Sequence, residues 1–84
     1  MRIEITRTAK KDLIHLDEKT RQRLITALEK LLNYPESADV RKLGEVSDTW
    51  RLRVGVWRVI FQIDEKKGVI YVLCVKHRRE AYRD

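Results

Sequence analysis

The chain has 84 residues, enough for one small domain near the lower limit of what a single hydrophobic core supports. Of these, 43% are apolar and 38% charged, the formal net charge is +6, and a single cysteine excludes an internal disulfide and a multi-cysteine metal site. The opening Met1–Thr6 has no apolar h-region, and the longest apolar run, Val69–Val75, falls far short of the roughly 20 residues of a membrane span, so a reducing cytoplasm is the expected location.

Arg2 to Thr6 sets Ile3 and Ile5 between polar partners, the alternation of a short strand. Thr8 is a candidate cap for a helix from Ala9 that brings Leu13 and Leu16 to one side, and Asp17 is a candidate N-cap for a second, longer helix. There Leu24, Ile25, Leu28, Leu31 and Leu32 recur at helical spacing, with Arg21, Arg23, Glu29 and Lys30 largely opposite. Asn33-Tyr34-Pro35 ends this helix, because proline disfavours the α conformation before it and lacks the N–H donor. Residues 35–49 read as a polar connector with Gly44 and a short strand around Arg41 to Leu43.

Trp50–Val54 is a predicted strand, Gly55 marks a tight turn, Trp57–Ile63 runs back, and Asp64 to Gly68 turns again. Val69–Val75 is apolar on both faces and reads as the central strand, with something packed on each side. The last eight residues read as a tail or a short helical turn. The expected architecture is α+β, a β-α-α-β-β-β order in one domain over 1–84, with two N-terminal helices packed on a small, mostly antiparallel sheet.

The positive charge is unevenly spread. Residues 1–49 hold ten Lys/Arg and nine Asp/Glu; residues 50–84 hold nine Lys/Arg and four Asp/Glu. A basic pole on a balanced protein points to a polyanion, RNA in particular, or to an acidic protein; the competing reading is solubility alone. Strand alternation puts Arg51 and Arg53 on one face and Trp50, Leu52 and Val54 on the other. The tail adds the imidazole of His77 and the phenol of Tyr82. Each of these residues also has a purely structural reading. Trp50 and Trp57 suit a core, Arg51 and Arg53 would protect an edge strand, and Arg58 could pair with Asp64 or Glu80. His15 suits a surface or boundary, and Cys74 suits inert packing.

Taken together, the two helices, the connector ending in Arg41-Lys42-Leu43, the run Trp50-Arg51-Leu52-Arg53-Val54-Gly55-Val56-Trp57-Arg58-Val59-Ile60-Phe61 and the end Val75-Lys76-His77-Arg78-Arg79-Glu80-Ala81-Tyr82-Arg83 resemble the RelE/ParE superfamily of small toxins from prokaryotic type II toxin–antitoxin pairs, its RelE branch above all. The resemblance covers nearly the whole chain. It implies an endoribonuclease (an mRNA interferase) that cuts messenger RNA, in the best-known members at the ribosomal A site, and that is neutralised by an acidic antitoxin wrapping the toxin. No cofactor is implied. By motif the family's basic catalytic positions fall on Arg51, Arg53, Arg58 and Arg78, with Lys76 competing for the last, and its C-terminal tyrosine falls on Tyr82. Positions 51 and 53 are lysines in the family's best-known pattern. Lys76, Arg79 and Arg83 are expected to add RNA contacts. The helix-two stripe reads as core first and antitoxin groove second.

RNA can be cut without a metal when the 2′-hydroxyl attacks the adjacent phosphate in line and leaves a 2′,3′-cyclic phosphate. The enzyme must take the 2′-proton, stabilise the added negative charge and protonate the leaving 5′-oxygen. Arginine suits the second task, because its planar fork stays charged and holds two phosphate oxygens. It is a poor base for the same reason. Two candidates remain for proton transfer: Tyr82 from the family pattern, His77 from unassisted chemistry. The four arginines are expected to face one shared, accessible concavity. The alternative is a ParE-like toxin that binds and inhibits a DNA topoisomerase without cutting RNA. A plain RNA-binding module is a third reading.

Overall fold

Capping and alternation lay the chain out as β1 (Arg2–Ile5), α1 (Arg7–Ile14), α2 (Glu18–Asn33), β2 (Val40–Lys42), β3 (Thr49–Val54), β4 (Trp57–Asp64), β5 (Val69–His77) and α3 (Arg78–Ala81). The structure is a computed structural model and describes residues 1–33, 38–44 and 48–81. The five strands form one sheet in the order β1-β5-β4-β3-β2. Only β1 runs parallel to its neighbour, pairing Arg2–Ile5 with Val69–Val72. The other three pairings are antiparallel.

The first helix begins earlier than Thr8 suggests. Thr6, in extended conformation, accepts a hydrogen bond from the Ala9 N–H and is the N-cap. Asp17 does cap α2, its carboxylate accepting from the Thr20 N–H; this bonding with Thr20 holds its carboxyl below the usual range. Arg21 folds back from α2 and donates to the carbonyl of Leu13, which also accepts from the Leu16 N–H, and to that of Leu16 just beyond α1. Leu24, Leu28 and Leu31 then bury one stripe of α2, while Ile25 and Leu32 are half-buried.

The core lies between the two helices and one face of the sheet. Ala9, Leu13, Leu24, Leu28 and Leu31 meet Leu52, Val59, Phe61, Ile70, Val72 and Val75. Trp50 and Trp57 are half-buried against this cluster, in line with a packing role. Gly55 and Val56 close the β3–β4 hairpin, with φ of +60° at Gly55 and none positive at Val56. This is the backbone pattern of a II′ turn, which favours glycine at its first central position.

Two expectations change. The middle strand is β4, and β5 lies between β1 and β4. Nor is β3 an edge, since β2 pairs along it, so protection of an exposed edge does not explain Arg51 and Arg53.

Candidate functional site

Register assigns side chains to faces. In β3–β4, Arg53 stands opposite Arg58 and Arg51 opposite Ile60; in β4–β5, Arg58 stands opposite Lys76 and Ile60 opposite Cys74; in β2–β3, Arg41 stands opposite Arg51. Residues directly opposite share a face. The face away from the helices therefore carries two adjoining rows. One is Arg53–Arg58–Lys76, and the other is Arg41–Arg51–Ile60–Cys74. Strands lie about 4.8 Å apart, and same-face neighbours along a strand about 6.7 Å apart, so the cations form a closely spaced lattice.

Their environments differ. Arg53 is exposed and paired with Asp39, whose backbone carbonyl also accepts from the Arg53 N–H. Arg51 is half-buried, and its Nε is shielded from solvent without a hydrogen-bond partner. Arg58 is only 4% exposed. One of its terminal nitrogens donates to the carbonyls of Gly55 (2.9 Å) and Trp57 (3.0 Å). Arg58 thus departs from the expectation that all four arginines face one shared, accessible concavity. Arg58 is built into the end of the sheet, and no described ion pair joins it to Asp64 or Glu80. Arg78 opens α3, exposed, and its backbone N–H donates to the Val56 carbonyl at the hairpin turn (2.7 Å). Arg79 is exposed beside it. Tyr82 and Arg83 lie outside the described residues.

His77 is separated from the arginine rows. It stands opposite Trp57 on the helix side of the sheet, with ring centroids 5.3 Å apart in an edge-to-face arrangement. Its Nδ1 accepts from the Arg79 N–H, and the Glu80 carboxylate accepts from the His77 N–H. This is a capping box at the start of α3. His77 therefore has a structural task of its own.

Reasoning from sequence missed Arg41. The antiparallel pairing of Arg41 with Arg51 is the signal that recruits it. The two rows are graded in exposure, with Arg41 and Arg53 exposed, Arg51 and Lys76 half-buried and Arg58 buried. A concavity of about 840 Å³ lies further along the sheet, lined by Trp50, Gln62 and Tyr71 with the charged side chains of Lys42, Asp48, Asp64, Glu65 and Lys66; the Lys42 ammonium sits 5.8 Å from the Trp50 ring centroid. Its three carboxylates make it a poorer match for a polyanion than the cationic rows.

Comparison with known proteins bears on the family and the fold. A family model of the ParE toxin of type II toxin–antitoxin systems (parDE) matches residues 3–82. A chain of the archaeal RelE–RelB complex from Pyrococcus horikoshii OT3 is 31% identical, covers 99% of this chain and 97% of its own, and superposes with a TM-score of 0.78. A chain of the RelB–RelE antitoxin–toxin complex from Methanococcus jannaschii is 24% identical over 94% of both chains, with a TM-score of 0.75. The isolated E. coli RelE toxin is 22% identical, over 94% of this chain and 92% of that one, with a TM-score of 0.73. No curated protein matches the chain. With nearly every residue inside the family match and the whole fold shared, the chain belongs to the RelE/ParE superfamily of toxins from type II toxin–antitoxin systems.

Proposed function

We propose that this toxin is an endoribonuclease that cuts messenger RNA at the ribosome without a metal. The observation that carries the reading is the double row of cations on the sheet face away from the helices, with Asp39 paired to Arg53 beside it. Such a lattice suits the phosphates of a single strand. Arg51 and Arg53 hold the phosphate that gains charge. Each charge-assisted bond contributes roughly 1.5–3 kcal/mol. Arg58, fixed by two carbonyls, presents a guanidinium that does not have to reorganise during reaction. Tyr82, as its phenolate, takes the 2′-proton, Arg78 with Lys76 steadies the developing charge, and a solvent water protonates the leaving 5′-oxygen.

The match to the ParE family model favours a second reading, inhibition of a topoisomerase by binding. Induction of the lone toxin in cells with mapping of mRNA 5′ ends separates the two. The nuclease gives new 5′ ends inside translated codons, in frame. A transcriptome without such ends, together with DNA damage, supports the second reading and removes the first.

An acidic antitoxin is the expected partner. The groove between α2 and β3 fits it, with Lys19, Arg23 and Lys30 around a floor of Ala27 and Val54. Affinity should weaken as salt rises, because exposed charges are screened over roughly 8–10 Å. Titration at low and high salt checks this, and an unchanged Kd would show that apolar docking dominates.

A further inference from the structure

The C-terminal half of β5 has a strand on one side only, because pairing with β1 ends at Ile5 and Val72. Side chains from the start and end of α1 take the place of the missing strand. The Thr6 hydroxyl donates to the Leu73 carbonyl (2.9 Å), and the Asp12 carboxylate accepts from the Val75 N–H (2.9 Å). These two bonds flank a break in register. Ile60 pairs with Cys74 but Phe61 pairs with Val72, which leaves Leu73 as the extra residue of a β-bulge.

The bulge decides which side chains reach the site. Ile70 and Val72 face the helices. Strict alternation from them would place Cys74 and Lys76 on the helix side and Val75 and His77 on the open face. The extra residue reverses this. Val75 joins the core, His77 meets Trp57, and Lys76 stands opposite Arg58.

We propose that Asp12, with Thr6, is a positioning residue that locks the bulge at Leu73 and so keeps Lys76 in the row with Arg53 and Arg58. Asp12 touches no substrate. It acts through the Val75 amide. The effect on RNA rests on the nuclease reading; the lock itself does not.

The test compares full-length Asp12→Ala, Asp12→Asn, Lys76→Ala and the double variant Asp12→Ala/Lys76→Ala. Two quantities are read: amide hydrogen exchange at Val75, and affinity for a fluorescent single-stranded RNA across a salt series. Asp12→Ala is expected to speed Val75 exchange by roughly tenfold relative to the Phe61 amide, from the loss of one bond. It should also lower the slope of log affinity against log salt by about 0.7, the loss of one phosphate contact. Lys76→Ala should lower the slope equally, and the double variant no further. Asp12→Asn keeps an oxygen at the same place and restores both readouts. An unchanged slope in Asp12→Ala, or additive losses in the double variant, overturns the proposal, as does unaltered Val75 exchange. If the wild-type chain binds no RNA, the nuclease reading fails on its own, and a selective loss of Val75 protection still supports the lock. Should Asp12→Ala not fold, Asp12→Ser supplies the same contrast.

Discussion

Tyr82→Phe is expected to lower RNA cleavage by roughly 10²–10⁴-fold, the usual worth of a positioned acid or base, with folding and RNA binding close to wild type. The substitution removes one hydroxyl and keeps the ring. The rival assignment needs a gentler variant than alanine, because His77 caps α3 through Nδ1 and packs against Trp57. Asparagine is a good N-cap, so His77→Asn removes the imidazole while keeping the cap. It should retain most of the cleavage. Single-turnover cleavage of a defined RNA, on the ribosome and free, measures both. A silent Tyr82→Phe with an inactive His77→Asn would make the imidazole the base and end the family assignment. If both are silent and Arg51→Ala is inactive, the site works by charge stabilisation and positioning. Full activity in all three variants would return the topoisomerase-binding reading to first place.

The second large effect separates two arginines that look alike in sequence. Arg58→Ala removes charge-assisted bonds to the Gly55 and Trp57 carbonyls and empties the buried place its side chain fills. A stability loss of about 2–4 kcal/mol is expected, alongside the loss of cleavage. Arg51 is half-buried, and no described bond ties it to the fold. Arg51→Ala should therefore change stability by less than about 1 kcal/mol while cleavage falls by roughly 10–150-fold, the equivalent of one charge-assisted bond. Urea denaturation and cleavage rates on the same preparations test the contrast. Equal stability of the two variants would show that the carbonyl contacts of Arg58 contribute nothing to the fold.

The strand alternation from Trp50 to Val54 predicts the faces of β3 as the structure has them, and helical spacing picks out the buried stripe of α2. Both patterns are local, so they survive in a single sequence. The Val69–Val75 run misleads because its alternation changes phase at Leu73. Val69, Tyr71 and Cys74 fill the other face with apolar side chains too, Val69 fully buried, so the run shows no apolar–polar alternation from which the phase could be read. That phase change also exchanges Lys76 and His77, and no residue near Leu73 announces it, since its causes, Thr6 and Asp12, lie more than sixty positions away. The cap of α1 escaped for a related reason. Thr6 and Thr8 are equivalent locally, and what sets Thr6 apart is its bond to Leu73. Burial of Arg58 depends on the hairpin turn folding back to offer its carbonyls, which spacing does not encode.

The parallel pairing of β1 with β5 has a consequence for timing during synthesis. Residues 2–5 find their partners only once residues 69–72 exist, so these contacts span almost the whole chain and close late. A nascent chain ending before Val69 already contains both long helices and the β2–β3–β4 ladder. It still lacks Ile70, Val72 and Val75, a full strand's share of the core. It also lacks Lys76 and Arg78. The residues that complete the interior are contiguous with those that complete the cationic surface, so a half-made toxin is both unfolded and unarmed, and the two deficiencies end together.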